Sequence, residues 1–250
     1  MTLPTLARCW HVGLAFLPLI LIAGPLAAQD LSLSLGEEGS LSARAIQLLI
    51  LLTVLSIAPG IAIMVTCFPF IVTVLAILRQ AIGLQQSPPS MLMVTLAMFL
   101  TYFVMEPVFV EAWQSGVQPV LEDQLAVEEG FIRAMAPLRD FMQSRIEPQT
   151  LSQLAALRPD LDPLTPPADV PLSVLVPSFL LSEMEHAFQV GFLIFLPFLI
   201  IDLVVAAVLM SMGMMMVPPA IVSLPFKLAF FVVADGWSLI AASLVRGYAA

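Results

Sequence analysis

Charge is scarce in this chain, and that scarcity is its first constraint. Only 11% of the 250 residues are charged and 60% are hydrophobic, with a mean hydropathy of +1.02; a soluble domain carries roughly 25% charged residues. A soluble single-domain enzyme is excluded, because a monomer of this composition could not keep its apolar surface from water. The class is an integral membrane protein, or a subunit enclosed by partners and lipid. Positive charge is scarcer still. Nine basic residues against eighteen acidic ones cannot build a phosphate-binding face, which excludes nucleic acid as a partner. There are two cysteines: Cys9 falls in a targeting segment and Cys67 stands alone, so no disulfide is expected in the mature chain. There are also two histidines, and beyond the targeting segment only His186 remains. No glycine-rich nucleophile turn accompanies any serine, and no phosphate-binding loop is present. The chain does not read as an enzyme, and no cofactor is expected.

The charge that is present is unevenly placed. Thirteen acids and four arginines lie between Glu106 and Glu185, a net −9, while the remainder balances at five of each sign. At the amino end, Arg8 and His11 precede an apolar run from Val12 to Ala23, then Gly24, Pro25 and Leu26-Ala27-Ala28-Gln29. That layout predicts a cleaved secretory signal over 1–28, although Leu26 is large for the −3 position. The alternative, an uncleaved first helix, would span about 18 Å of a hydrocarbon core about 30 Å thick. Residues 29–43 are then a short mature amino-terminal segment.

Two apolar regions flank the acidic one. Ala45 to Leu78 and Gln80 to Met105 contain no charged residue, and Ser87-Pro88-Pro89 between them reads as a helix-to-helix turn. Residues 44–113 are therefore expected to form a helical hairpin, its first arm interrupted at Pro59-Gly60 and Pro69, its second running from Ser90 to about Trp113. The layout recurs over 172–250. Ala187 to Ile201 is apolar, Asp202 interrupts, and Leu203 to Phe226 is broken at Pro218-Pro219 before a final arm to about Tyr248. Gly83 and Gly213 each stand five residues before the first proline of a pair, which either duplication or coincidence explains.

The region 114–171 differs in kind. Leu121, Leu125, Ile132 and Met135 recur at helical spacing between acids, predicting an amphipathic helix over 120–136. A second short helix is expected from Leu138 to Ile146 between Pro137 and Pro148, then a stiff proline-rich linker. An acidic, basic-poor segment suits the side of the membrane away from the cytoplasm. The fold class is all-α: membrane-associated helical hairpins with a helical extracytoplasmic insert.

Few residues could carry chemistry. Glu183-x-x-His186 puts a carboxylate and an imidazole on one helical face, but a di-iron bundle needs two such pairs and two further glutamates, so no metal is expected; Ser182 capping a helix start with acids in its first turn is the simpler reading. Asp202, Lys227 and Asp235 are charges in apolar surroundings and should face a partner, a cavity or another subunit. Counted from the turn at Val217–Pro218 along straight helices, Asp202 and Lys227 are offset by roughly 9 Å, which favours partners in other subunits as much as a pair within one hairpin. Asp235-Gly236 alternatively marks a helix break capped by Asp235. Met210, Met212, Met214, Met215 and Met216 are five methionines in seven residues. They serve either packing or a deformable constriction, methionine being unbranched and adaptable. Gly213 among them would allow close helix approach.

The chain resembles the FliP family, core subunits of the flagellar type III export gate, over nearly its whole mature length. The matching stretches are Leu78 through Pro89, Phe99-Leu100-Thr101-Tyr102-Phe103-Val104-Met105-Glu106-Pro107, Pro137-Leu138-Arg139-Asp140-Phe141-Met142, Pro177-Ser178-Phe179 with Ser182-Glu183, and Ala187 through Phe192. Further matches are Leu196-Pro197-Phe198 to Asp202, Leu209 through Pro219, Ser223-Leu224-Pro225-Phe226-Lys227 and Asp235-Gly236-Trp237. Departures are Phe70 and the run Met184-Glu185-His186, where the family usually has a basic residue, and Ser90-Met91 after the first proline pair.

The resemblance implies a pentamer that joins the smaller FliQ and FliR, with FlhB and FlhA homologues nearby, in a helical oligomeric channel crossed by unfolded flagellar proteins. It implies a place in the bacterial inner membrane at the flagellar basal body, with the insert on the periplasmic side and much of the assembly above the bilayer plane. It also implies a methionine gasket at Met210, Met212 and Met214–Met216, and a channel-mouth position for Phe141 and Met142. The rival functions are an injectisome export gate within the family, favoured less because of the signal segment, and a small-molecule or ion transporter using Asp202, Asp235 and Lys227.

Overall fold

The computed structural model describes residues 41–83, 88–159, 161, 169–214 and 216–248. The expected signal segment 1–28, positions 84–87 of the first turn, most of the proline-rich linker and Met215 lie outside the described residues. The described chain is all-α, as its composition and proline pattern predict, with no strand among the described residues. It divides into two compact units, Met1–Leu55 and Ser56–Ala250. What is described of the first unit is helical, with Leu48, Leu49, Leu51 and Leu52 exposed and the Thr53 hydroxyl donating to the Leu49 carbonyl at 2.7 Å.

The helix α1 spans Leu41–Met64 and runs through Pro59-Gly60, where an interruption was expected; the break falls instead at 65–67. The Thr66 hydroxyl makes it, donating to the Ile63 carbonyl at 2.7 Å and accepting from the Phe68 N–H at 3.3 Å. The next helix, α2 (Phe68–Ile82), carries Pro69 in its first turn, where a missing N–H has no partner to lose.

Although only 15 residues long, α2 is the centre of the second unit. Its buried stripe is Phe70, Ile71, Val74, Leu75, Leu78, Ala81 and Ile82, and each fully buried aliphatic side chain contributes roughly 1.5–3 kcal/mol. It packs against α3 (Ser90–Ala112) and α7 (Leu172–Ser211). The 40 residues of α7 make it about 60 Å long, twice a hydrocarbon core of about 30 Å. This helix passes uninterrupted through Pro177, Ser182, Pro197 and Asp202. Ser182 therefore starts no helix of its own, and Asp202 is no helix break.

α3 continues through a π-helical turn at Trp113–Val117 into α4 (Gln118–Leu121). The amphipathic helix expected at 120–136 starts later, as α5 (Val127–Arg145), and includes the segment expected as a separate helix after Pro137. Two local devices explain this. A Cβ on Gly116 would stand 2.4 Å from the Gly130 carbonyl oxygen, so the π turn docks on α5 through small residues; the large residues Leu121 and Ile132 are exposed. Pro137 cannot donate to the Arg133 carbonyl, and the Ser115 hydroxyl donates to that carbonyl instead, at 3.3 Å. α6 (Pro148–Ala156) follows, and α8 (Pro219–Val233) and α9 (Gly236–Arg246) end the described chain.

Among the described residues, three helices are long and apolar enough to cross a membrane: Ile46–Met64, Ser90–Leu121 and Leu172–Ser211. A fourth span arises if α8 and α9, bent by 61°, count as one.

Candidate functional site

The methionine cluster occupies the end of α7 and the turn to α8. The helix is stopped by a left-handed glycine, Gly213 at φ 77°. The Gly213 N–H donates to the Met210 carbonyl and the Met214 N–H to the Leu209 carbonyl, each at 3.0 Å. These are the two hydrogen bonds that close a helix on a glycine. A Cβ on Gly213 would meet nothing within 4 Å, so within this chain the residue is required for its φ and not for close helix approach. Close approach is made by Gly116, and by Gly191, where a Cβ would stand 2.4 Å from Ile77 Cδ1. Gly83, φ 86°, ends α2, its N–H donating to the Gln80 carbonyl. The matched positions of the two glycines thus follow from the need to stop a helix ahead of a proline turn. Replacing Gly213 with leucine should lower stability by about 1–2 kcal/mol, whereas asparagine should be nearly neutral; thermal unfolding in detergent separates the two, and equal losses would contradict a φ requirement.

Around this turn the methionines point outward. Met210 is 62% exposed, Met212 66%, Met214 42% and Met216 97%, while Leu209 beside them is 7% exposed. Met215 lies outside the described residues. Side chains serving this chain's own core would be buried, so these four are available to something beyond it. Met212 and Met214 also border an apolar groove of about 570 Å³ with Val204, Val208, Val222 and Phe226.

Near the two hairpin turns sits the first charge cluster. Lys227 Nζ donates to Asp202 Oδ2 at 2.6 Å and to the Ala81 carbonyl at 3.1 Å. The Ser223 hydroxyl donates to Asp202 Oδ1, also at 2.6 Å. The expected 9 Å offset is overturned because residues 212–214 and 216–218 are not helical and add no helical rise. Asp202 is nine residues before the end of α7 and Lys227 eight after the start of α8, which puts them within about 2 Å of the same depth. Lys227 also satisfies a carbonyl in the last turn of α2, where helical carbonyls lack partners and a cation is favoured.

The second cluster was not anticipated. Glu183, fully enclosed, accepts from Arg145 Nε at 3.0 Å and from the Tyr248 hydroxyl. Arg145 also donates to the Gly247 carbonyl at 3.1 Å, and its guanidinium lies 4.3 Å above the Tyr248 ring. Burial, and then the Glu183 charge, push the Tyr248 phenol well above its usual value, which keeps it a donor. Phe141 stacks on Tyr248 at 6.1 Å and meets Phe179 edge-on at 5.8 Å. Met142 is wholly buried in the core beside Val174, Leu175 and Phe179. Within this chain, then, Met142 is enclosed and Phe141 is half-buried. Ser182 serves α6, accepting from the Glu147 N–H that precedes it at 2.9 Å, and Arg139 donates to the Val170 carbonyl at the end of the linker.

Asp235 stands apart from both clusters. It is exposed, left-handed at φ 50°, and occupies the break between α8 and α9, where Ser238 donates to its carboxylate. It acts as the helix-break residue and not as a buried charge of this chain. Glu183 and His186 share no partner among the described residues. Glu183 is engaged by Arg145 and Tyr248, the His186 Nδ1 has no partner among the described residues, and among the described residues no three His, Cys, Asp or Glu side chains group as ligands.

Apolar helices long enough to cross a membrane and charges committed to holding helices together define the class: an all-α membrane protein. The FliP family model matches residues 51–244, and the chain belongs to the FliP family. It is 48% identical over 229 residues to the flagellar biosynthetic protein FliP of Caulobacter vibrioides, covering 92% of this chain and 86% of that one. The same-named protein of Bacillus subtilis is 45% identical, with 81% and 91% covered, and that of Aquifex aeolicus 43%, with 92% and 97% covered.

Proposed function

We propose that this chain is the core channel subunit of the flagellar type III export gate, a conduit for unfolded flagellar proteins across the bacterial inner membrane at the flagellar basal body. It works as a homo-oligomer, a pentamer by family resemblance, with FliQ and FliR homologues and with FlhB and FlhA homologues adjoining. The acidic insert faces the periplasm. The observation that carries the reading is the outward set Met210, Met212, Met214 and Met216 on a turn held by Gly213; unbranched thioether side chains brought together from several copies would seal a passage and still deform around varied chains. Val127, Phe131 and Ile132 on the insert are exposed as well, as expected of a helix covered by neighbouring subunits.

The internal pairing of Asp202 with Lys227 weighs against an ion or metabolite transporter, since a coupling site needs charges free to bind and release. The relatives' name weighs against an injectisome subunit.

Alanine at Met210, Met212, Met214, Met215 and Met216 together should leave the complex assembled, as judged by native mass, and make the membrane permeable to small solutes. Unchanged permeability in a normally assembled complex would remove the gasket role.

A further inference from the structure

Two surfaces of the second unit, well apart from the methionine turn, complement one another in shape and charge. The first is a ridge on α7. Leu181, Glu185, Phe188, Phe192, Leu199 and Leu203 are exposed and, at spacings of three, four and seven residues, lie along one side of the helix. Glu185 is the one charge in that ridge, and its only partner among the described residues is Gln189 of the same helix, at 3.3 Å. An apolar ridge of this kind marks a covered surface, and a carboxylate within it needs a countercharge once it is covered.

The second is a groove of about 370 Å³ between α3 and α9, lined by Leu100, Phe103, Ala241, Ala242, Val245 and Arg246. Its α9 side offers two alanines, and Arg246 is the last residue of that helix. Arg246 is exposed and has no hydrogen-bond or ion-pair partner among the described residues, whereas Arg133, Arg145, Arg158 and Lys227 each have one.

The two charges also stand at one level. Lys227 meets Asp202 and Tyr248 meets Glu183, so α8 and α9 together run back along α7. Arg145 bridges Glu183 to the Gly247 carbonyl, which brings the end of α9 level with Glu183 to within about one side-chain length. Glu185 lies only about 3 Å further along the helix. Copies related by rotation about an axis parallel to these helices keep their levels, so a neighbour's Glu185 comes to the height of this chain's Arg246.

We infer that the α7 ridge of one copy of this chain seats in the α3–α9 groove of the next, with Glu185 paired to the neighbour's Arg246. Phe188 is one turn from Glu185 and Ala242 one turn from Arg246, so the ring meets the small residues, which admit close helix approach. Because ridge and groove are different surfaces, the contact is head-to-tail and repeats around a ring or a helix. It rests on the homo-oligomer proposed above and is independent of where the bilayer lies.

The test uses the full complex in native membranes. Two differently tagged chains, one carrying Glu185→Cys and the other Arg246→Cys, are expressed together and oxidised mildly. A crosslinked product bearing both tags should form, and neither chain alone should give a crosslinked dimer. Separately, Glu185→Arg and Arg246→Glu should each lower the amount of assembled complex, read by native mass, roughly tenfold, and the two reversals in one chain should restore most of it. Ala242→Leu, which fills the groove without changing charge, should lower assembly as well. Assembly indifferent to both reversals, no recovery in the double variant, or a crosslinked dimer from either chain alone would overturn the contact. Oligomers that form normally in both reversals remove this contact and leave the homo-oligomer standing; a wild-type chain that is monomeric by native mass removes both.

Discussion

Alanine at Arg145 should cost this protein about 3–5 kcal/mol, because it leaves the Glu183 carboxylate buried without a countercharge. The reciprocal change, Glu183→Ala, should cost less, about 3 kcal/mol. The asymmetry comes from exposure: Glu183 is 0% exposed, whereas 23% of the Arg145 side chain reaches the surface, so an orphaned guanidinium can turn to water and an orphaned carboxylate cannot. Tyr248→Phe should fall below both, near 1.5–3 kcal/mol for one hydrogen bond to a charged group, because its ring would still pack on Phe70 and Phe141. Melting of the purified protein, followed by tryptophan fluorescence, gives the order directly. A Glu183→Ala loss equal to or larger than that of Arg145→Ala would show that enclosure of the carboxylate is not what governs this cluster. The consequence reaches past stability. Arg145 ends the insert helix α5, Glu183 sits in α7 and Tyr248 follows α9, so the cluster ties the insert and the carboxyl end to one long helix. Its loss should free the insert before it melts the hairpins, and protease should cut first between 114 and 171.

How much of this was readable beforehand follows from the range of each interaction. The turns at Pro88-Pro89 and Pro218-Pro219 are legible because proline acts on its own backbone, and the methionine cluster because it is contiguous. The break at Thr66 is invisible in the sequence because a hydroxyl closing one helix and opening the next has no periodic signature, whereas Pro59-Gly60 has the residues of a break and the helix runs through it. Pro137 misled for a related reason. It ends a helix only if the freed carbonyl has no other donor, and the donor to the freed Arg133 carbonyl is Ser115, 18 residues before Arg133. The sequence pairs Glu183 with His186, three residues on, because so short a spacing is visible in it, while the partners of Glu183 lie 38 and 65 residues away. The insert was placed by its large apolar residues, yet it docks through Gly116 and Gly130, and a contact between small residues leaves no hydrophobic stripe to find.

The Asp202–Lys227 pair supports the other large effect. Asp202→Ala should destabilise the protein by about 3–5 kcal/mol, since it leaves the ammonium of a lysine side chain that is 7% exposed with only the Ala81 carbonyl and no countercharge. Lys227→Met should cost less. Methionine fills much the same volume, the remaining carboxylate is 32% exposed, and Ser223 still donates to it. The double variant Asp202→Ala with Lys227→Met should recover part of the loss, because no charge is then left buried, and the interaction free energy from the cycle should exceed the 0.2–1 kcal/mol usual for surface pairs. The same set separates packing from transport. If the pair joins α7 and α8 to the end of α2, the double variant should assemble into complexes more fully than Asp202→Ala alone and regain export in step with assembly. If the two charges instead moved an ion, both single variants and the double variant would assemble normally and all three would be inactive; that pattern would overturn the structural role assigned to them here.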